Sequence, residues 1–166
     1  MSQESQPGKA VVLGPTDGKS YWQPKPANGF VRTLLNSESL GSSAVFSSGT
    51  QTIDPGCWVR EHFHDQHEEI IFIFEGEGIA KVDGLEHPMA PGTCLFLGKQ
   101  RKHTFHNTGD KPLSFFWTLL PGGLDVFFAQ IGRERKGEDV KPEPFERPAN
   151  IAEIEASTVF GWTQKV

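Results

Sequence analysis

Short apolar runs separated by turn residues fill the middle of the chain, and they predict β-strands rather than helices. The runs recur at a spacing of roughly ten residues, which is typical of a sandwich or barrel. Asp83-Gly84 lies between two runs and is a strong hairpin signal. The predicted strands are Ser43–Ser47, Gln51–Ile53, Trp58–His64, Glu69–Glu75, Gly78–Val82, Glu86–Met89, Thr93–Leu97, His103–Asn107 and Leu113–Leu120.

The segment before the strands has a different pattern. It is rich in proline and glycine, and it contains two short strand candidates, Ala10–Leu13 and Val31–Leu35. We expect residues 1–38 to form an N-terminal arm that wraps the barrel or a neighbouring subunit. Residues 39–121 are then the barrel, and the remaining residues 122–166 are a C-terminal helical extension packing on it.

That extension begins with an amphipathic pattern. Leu124, Phe127, Phe128 and Ile131 fall on one face of a helix, so a short helix is predicted from Leu124 to Ile131, ended by Gly132. A second short helix is predicted over Ala149–Ala156, after a charged, proline-rich loop. No internal repeat is visible, which predicts one barrel rather than a duplicated one.

Composition narrows the class of protein. With 166 residues, 36% of them hydrophobic and 13 of them Phe, the chain suits one domain with its own core. The net charge of −5 disfavours binding to nucleic acid. Two distant cysteines give neither a disulfide framework nor a zinc-thiolate pattern. Because Met1–Lys9 lacks a hydrophobic signal region and no apolar run is long enough to span a membrane, we expect a cytoplasmic protein.

Four side chains could form a metal site. His62 and His64 are two positions apart on a predicted strand, so their imidazoles share a face. Glu69 heads a very apolar strand, where a carboxylate is costly to bury without a positive partner. His103 opens a later strand, and strand pairing could bring all four groups to one point. Mixed imidazole and carboxylate ligands suit one divalent transition metal ion (Fe, Mn, Ni, Co, Cu or Zn) and not Ca or Mg.

At these residues the sequence resembles the cupin superfamily. The first cupin motif, G-x5-H-x-H-x3–4-E-x6-G, is matched in full by Gly56, His62, His64, Glu69 and Gly76. The second motif, G-x5-P-x-G-x2-H-x3-N, is matched at its first Gly, its His and its Asn by Gly92, His103 and Asn107. Gly98 and Gln100 stand where this motif usually has Pro and Gly, which leaves the shape of that loop open.

The resemblance implies a fold and a ligand set. It implies an all-β protein with a single jelly-roll barrel, in which His62, His64, Glu69 and His103 hold the metal ion. The Phe-rich tail is similar to that of small quercetin-dioxygenase-like monocupins. His67 competes as a ligand, but the motif places it in a connecting turn. His106, three residues after His103, is expected on the opposite strand face.

Residues that share a face with the ligands should line a cavity. An apolar, aromatic cavity favours a planar organic substrate, although aromatic side chains inside a barrel are also common as simple core. On the last strand, Phe116, Thr118 and Leu120 are the alternative inward set. The predicted substrate-binding residues are Phe46, Trp58, Ile71, Ile73, Phe105, Phe115 and Trp117.

The other face of the strand Glu69–Glu75 is also apolar. Ile70, Phe72 and Phe74 must be covered by the C-terminal helix or by a second subunit, and we predict a homodimer. Apart from that copy, the predicted partner is a small-molecule substrate, with no nucleic acid and no membrane.

The predicted activity is that of a metal-dependent dioxygenase, an oxidoreductase acting on a small aromatic or enolic, flavonol-like substrate. In this hypothesis Glu69 also serves as a general base, a role extrapolated from the quercetinase-like resemblance. One alternative is a non-oxidative metal-dependent isomerase, lyase or cyclase, which needs the same four ligands. Another is a cupin that binds a small molecule without turning it over.

Overall fold

A computed structural model describes residues 8–160 of the chain. In this range the chain forms two antiparallel β-sheets and three short helices. The helices are α1 (Ser37–Leu40), α2 (Leu124–Ile131) and α3 (Ile151–Ser157). The strands are β1 (Lys19–Trp22), β2 (Phe30–Asn36), β3 (Ser47–Ile53), β4 (Trp58–His62), β5 (Glu68–Glu75), β6 (Gly78–Val82), β7 (Leu85–Met89), β8 (Cys94–Leu97), β9 (His103–Asn107), β10 (Leu113–Leu120) and β11 (Arg133–Glu134).

The two sheets pack on each other. The larger sheet has the strand order β11-β1-β2-β3-β10-β5-β8, and the smaller has the order β4-β9-β6-β7. Their inner faces meet in one core, where the ring of Phe105 from β9 lies 5.4 Å from that of Phe115 in β10. The predicted jelly-roll fold is thus confirmed as two facing sheets, which are not closed into a continuous hydrogen-bonded ring.

Strand β10 shows why the middle of the chain folds this way. Its residues alternate between the inner and outer faces, and Leu113, Phe115, Trp117 and Leu119 are fully buried. Strands β3 and β5 flank it on either side, so β10 is the centre of the larger sheet. The predicted bounds of β6, β9 and β10 agree with the structure residue for residue.

One strand replaces two that the sequence predicted. We expected separate strands at Ser43–Ser47 and Gln51–Ile53, but β3 runs without a break from Ser47 to Ile53. Gly49, in its middle, is opposite Trp117, and a Cβ built on Gly49 would lie 2.6 Å from that indole ring. The glycine therefore makes room for a core side chain and does not mark a turn.

The N-terminal segment also differs from the prediction. The strand expected at Ala10–Leu13 does not form. Strands β1 and β2 instead extend the larger sheet beside β3, so much of the expected irregular arm is regular sheet. The region 1–7 of the predicted arm and residues 161–166 of the predicted extension lie outside the described residues.

The helices follow the sequence pattern more closely. Helix α2 has the predicted bounds and buries the predicted apolar face, and Gly132 follows its last residue. Helix α3 begins two residues later than predicted and buries Ile154. Within residues 8–160, no helix has the length and apolar content that crossing a membrane requires.

Candidate metal centre

Four buried side chains converge between the two sheets. His62, His64, Glu69 and His103 each place one nitrogen or oxygen atom within 4.8 Å of the atoms of the other three. His62 ends β4 and His103 begins β9, and these two residues are paired partners in the smaller sheet. Glu69 comes from β5 of the larger sheet. The structure therefore brings together the four predicted ligands from separate stretches of chain.

His64 reaches the cluster from a loop rather than from a strand. Strand β4 ends at His62, yet the two imidazole rings are only 5.2 Å apart. The backbone N–H of Gln100 donates to the carbonyl of His64 at 2.7 Å, and this contact holds the loop in place. Gln100 has a φ of +63°, a conformation that glycine adopts freely, which explains why the second cupin motif usually has Gly here.

Backbone carbonyls fix the orientation of all three imidazoles. The Nδ1 atoms of His62, His64 and His103 lie 2.7–2.8 Å from carbonyl oxygens. Since a carbonyl only accepts, each Nδ1 carries the proton and each Nε2 keeps its lone pair. This arrangement is how metal-bound histidines are usually held. The accepting carbonyls are those of Arg60, Val159 and Arg101, respectively.

The atoms at the centre of the cluster lack partners. The Nε2 atoms of His64 and His103 and the Oε2 atom of Glu69 are buried and have no hydrogen-bond partner among residues 8–160. Oε2 lies 3.3 Å from Nε2 of His103 and 3.7 Å from Nε2 of His64. Lone pairs this close repel one another unless a cation lies among them. The four residues therefore fit a divalent transition metal ion.

The electrostatics of the cluster favour a neutral imidazole at His62 and an ionised carboxylate at Glu69. Burial lowers the pKa of His62, and the neighbouring His103 and His64 lower it further, so this imidazole is neutral at neutral pH. Burial raises the pKa of Glu69, but the nearby imidazoles of His103 and His64 favour the ionised carboxylate more strongly, so the pKa is far below the ordinary value. Glu69 is therefore an anion, facing imidazoles that are ready to donate lone pairs.

The other histidines near the cluster lie outside the group of four. The ring of His67 is 6.0 Å from that of His64, and His67 lies in the connecting turn, as predicted. His106 stacks on the indole of Trp58, with ring centroids 6.1 Å apart. Trp58 itself is 42% exposed, so this stack is on the outer surface of the smaller sheet.

A partly open cavity lies beside the cluster. His62 and Glu69 form one part of its wall, so the candidate metal centre is reachable from the cavity. Most of the remaining wall is apolar and aromatic, with a few polar groups, as in sites for small organic molecules. The aromatic wall residues are Phe105, Phe127, Phe128 and Phe160, and the polar ones are Gln23, Gln51, Lys25, Arg60 and Arg147.

The seven predicted substrate-binding residues lie in different places. Phe105 lines the cavity. Trp58 is on the outer surface, and Phe46 precedes β3 near the loop before α2, away from the cavity wall. The other four are fully buried in the hydrophobic core and do not line the cavity, in keeping with the core alternative; they are Ile71, Ile73, Phe115 and Trp117.

Several wall residues were missed by the sequence reasoning. The apolar face of α2 was predicted, but its place over the cavity was not. Gln23 precedes the cis Lys25-Pro26 peptide and Arg147 precedes α3, and neither position has a local pattern that indicates a binding site. The ring centroid of Phe160 lies 5.2 Å from that of His62 and 5.2 Å from that of His64. Phe160 is far from both histidines in the sequence, so residue spacing could not indicate this contact.

Comparisons with known proteins identify relatives of this chain. SchB of Streptomyces halstedii is 34% identical over 93 residues, which are 56% of this chain and 67% of SchB. The polyketide synthase protein CurC of Streptomyces cyaneus is 29% identical over 130 residues, covering 77% of this chain and 84% of CurC. A crystal structure from Thermotoga maritima, described as a predicted oxalate decarboxylase, superimposes with a TM-score of 0.54 and 26% identity. The superposition covers 68% of this chain and 99% of the Thermotoga maritima chain.

The finer resemblance to quercetin dioxygenases receives less support. Quercetin 2,3-dioxygenase of Bacillus subtilis is 26% identical over 89 residues, which are 54% of this chain but only 26% of that enzyme. CurC is matched over a larger share of both chains. Residues 49–119, which include all four clustered side chains, match the cupin domain family. This match, the likeness to SchB and the two-sheet fold together show that the chain belongs to the cupin superfamily.

Proposed function

We propose that this cupin is a metal-dependent enzyme that rearranges an enolisable aromatic or polyketide-type substrate without oxidising it, as a cyclase or isomerase does. The observation that carries the proposal is that His62 and Glu69 face an open, largely aromatic cavity. The relationship to CurC, a polyketide synthase protein, supports this non-oxidative alternative over the dioxygenase predicted from the sequence.

The metal-binding step of the proposal depends on the four clustered residues. Three Nε2 atoms and one carboxylate would hold a single transition metal ion, with His62 and Glu69 on the cavity side. A metal ion bound there supplies Lewis-acid chemistry, since it polarises a carbonyl oxygen and makes neighbouring protons more acidic.

The cavity wall selects the substrate in this proposal. Phe105, Phe127 and Phe160 give flat apolar surfaces that bind a planar molecule and exclude water. Gln51 donates one N–H to Oε1 of Gln23 at 2.6 Å, and this contact fixes the amide of Gln51 in the wall. We propose that the other N–H of Gln51 donates to a hydroxyl or carbonyl oxygen of the substrate.

Glu69 is the proposed proton acceptor. The carboxylate lines the cavity and is ionised, so it can take a proton from a bound molecule. A carboxylate is a weak base, and it accepts only a proton that is already acidic, such as that of a 1,3-dicarbonyl or a phenol. The proposal is therefore limited to enolisable substrates.

Deuterium exchange at the central carbon of 1-phenylbutane-1,3-dione tests this proposal. We expect zinc-loaded protein to accelerate the exchange under strict anaerobiosis, as followed by NMR, and the His103→Ala variant to lose most of the acceleration. His106→Ala is the matched control, because His106 is on the same strand but faces away from the cluster. Oxygen uptake with this diketone or with quercetin, in protein loaded with Fe, Mn, Co, Ni or Cu, would support the dioxygenase instead.

A further inference from the structure

Two arginines share one carboxylate in the wall of the cavity. Arg60, on β4, and Arg147, in the loop before α3, both donate to Oε1 of Glu155, a residue of α3. The distance from Arg147 is 2.7 Å. Both arginines line the cavity beside the candidate metal centre, whereas Glu155 is not part of the wall. Two positive charges and one negative charge give these three side chains a net charge of one positive unit beside the cavity.

We propose that Arg60 and Arg147 form a subsite that binds a carboxylate group of the substrate. The inference deepens the proposed function, because it requires that another part of the same molecule lies at His62 and Glu69. The substrate class is then an aromatic or polyketide-type carboxylic acid, whose acid group binds the arginine pair.

The hydrogen bonds that the arginines leave unused support this subsite. A guanidinium group has five N–H donors arranged to hold a carboxylate with two parallel hydrogen bonds. The Nε atom of Arg60 is buried and has no hydrogen-bond partner among residues 8–160. A buried charged donor without an acceptor is costly, and a carboxylate that enters the cavity would remove that cost.

Repulsion within the pair also favours a second anion. The side chain of Arg147 is only 21% exposed. Burial lowers its pKa, and the charge of Arg60 lowers it further, more than Glu155 restores. One shared carboxylate thus compensates the two guanidinium groups incompletely. An anionic group of a ligand would complete the compensation.

The subsite lies close to the candidate metal centre. Arg60 is two residues before His62 on β4, which separates their Cα atoms by about 7 Å. Its carbonyl oxygen also accepts the hydrogen bond that orients His62. One or two fused aromatic rings span a distance of this order, so one rigid molecule can place an oxygen at the cluster and an acid group at the arginines.

A matched pair of probes tests the inference. The probes are 6-hydroxy-2-naphthoate and its methyl ester, which have the same ring system and differ in charge. We expect the wild-type zinc-loaded protein to bind the acid about tenfold more tightly than the ester, as measured by calorimetry. Arg60→Gln and Arg147→Gln should each remove most of this preference.

Arg101→Gln is the matched control. Arg101 is also two residues before a clustered histidine, and its carbonyl also orients that histidine, His103. Its side chain, however, pairs with Asp83 and is not in the cavity wall. We expect this variant to keep the preference of the wild type for the acid.

Glu155→Gln separates a binding role from a purely structural one. If the arginines bind the ligand, removing the competing carboxylate frees them, and the acid should bind more tightly than to wild type. If the three residues only connect β4 to α3, this variant should lose stability and leave the preference unchanged. Such a result, or an acid that binds wild type no better than its ester, overturns the inference.

Zinc binding measured on the same samples keeps the two proposals apart. A protein that prefers the acid but binds no zinc contradicts the proposed metal-dependent function and leaves the subsite intact. A protein that binds zinc and accelerates exchange, but binds the acid no more tightly than the ester, contradicts only the proposed subsite.

Discussion

The Nδ1 atom of His64 donates a hydrogen bond at 2.7 Å to the carbonyl oxygen of Val159, which lies 95 residues further along the chain. The other two clustered histidines are oriented by carbonyls of Arg60 and Arg101, only two residues away from each. The residues that directly follow α3 thus help to orient a side chain of the candidate metal centre. Phe160, the next residue, contacts both His62 and His64.

Shortening the chain should reveal this support. We expect a protein that ends at Ser157 to bind zinc about 10- to 100-fold more weakly, since the loss of a group that orients a ligand has this effect on metal affinity. Competition with a chromophoric chelator measures the change. A protein that ends at Phe160 keeps the contact and is the control; equal affinities in the two shortened proteins would contradict the role of Val159.

The affinity for metal should fall on acidification, because a proton competes with the ion for His64. Burial lowers the pKa of His64, but the nearby carboxylate of Glu69 outweighs this effect, so the pKa is raised above the ordinary imidazole value. A proton therefore competes for its Nε2 already above pH about 6.5. Zinc affinity measured from pH 8 to pH 5.5 should begin to decline above that value. A flat profile down to pH 6 would show that the proton does not compete there.

Replacing Gln100 with glycine should stabilise the protein. A non-glycine residue in the left-handed conformation costs about 1 kcal/mol, and Gln100 has a φ of +63°. We expect Gln100→Gly to raise the free energy of unfolding by about 1 kcal/mol in urea titrations. Gln100→Ala keeps the unfavourable conformation and should show no gain. A glycine variant no more stable than the alanine variant would contradict the assigned strain.

Gly49 should tolerate no side chain. A Cβ at this position would meet the backbone carbonyl of Arg32 and approach the indole of Trp117 to 2.6 Å. We expect Gly49→Ala to destabilise the fold by about 2 kcal/mol or more, because a well-packed core yields little to added volume. Gly137, where nothing lies within 4 Å of a built Cβ, provides the control, and Gly137→Ala should change the unfolding midpoint little.

The predicted homodimer has a defined surface to test. On the outer face of the larger sheet, Phe72 and Phe74 are 44% and 47% exposed, and Phe96 is 64% exposed. The sequence predicted that either the C-terminal helix or a second subunit covers this face. Helix α2 packs against β2 and β3 and leaves these rings uncovered, so the prediction of a second subunit remains. Light scattering should give twice the chain mass for wild type and one chain mass for Phe72→Asp. Val126→Asp, at an exposed apolar position on α2, should leave the mass unchanged.

Much of the fold could be predicted because its signals are local. The apolar run of β10 has the bounds that the sequence predicted. Asp83-Gly84 forms the turn between β6 and β7, with positive φ at both residues. Gly132 follows α2, as expected. The break predicted between Ser47 and Gln51 was wrong, because glycine can mark a turn in one context and close packing in another. Only the position of Trp117, on β10 and seven strands later in the chain, shows that Gly49 serves close packing.

The candidate metal centre was also accessible from the sequence, whereas its surroundings were not. The spacing of His62, His64, Glu69 and His103 is a pattern in the chain itself. The cavity wall instead joins residues that are distant in sequence, such as Gln23, Arg147 and Phe160. No periodicity connects them, so alternation along single strands assigned core residues such as Ile71 to the pocket.

The link between His64 and Val159 has a consequence for biosynthesis. When the ribosome has just added His64, 95 further residues must still be translated before the carbonyl that orients it exists. Until then the imidazole of His64 lacks the partner that holds its orientation. An ion bound at this cluster would therefore reach its full affinity only after the residues that follow α3 have docked.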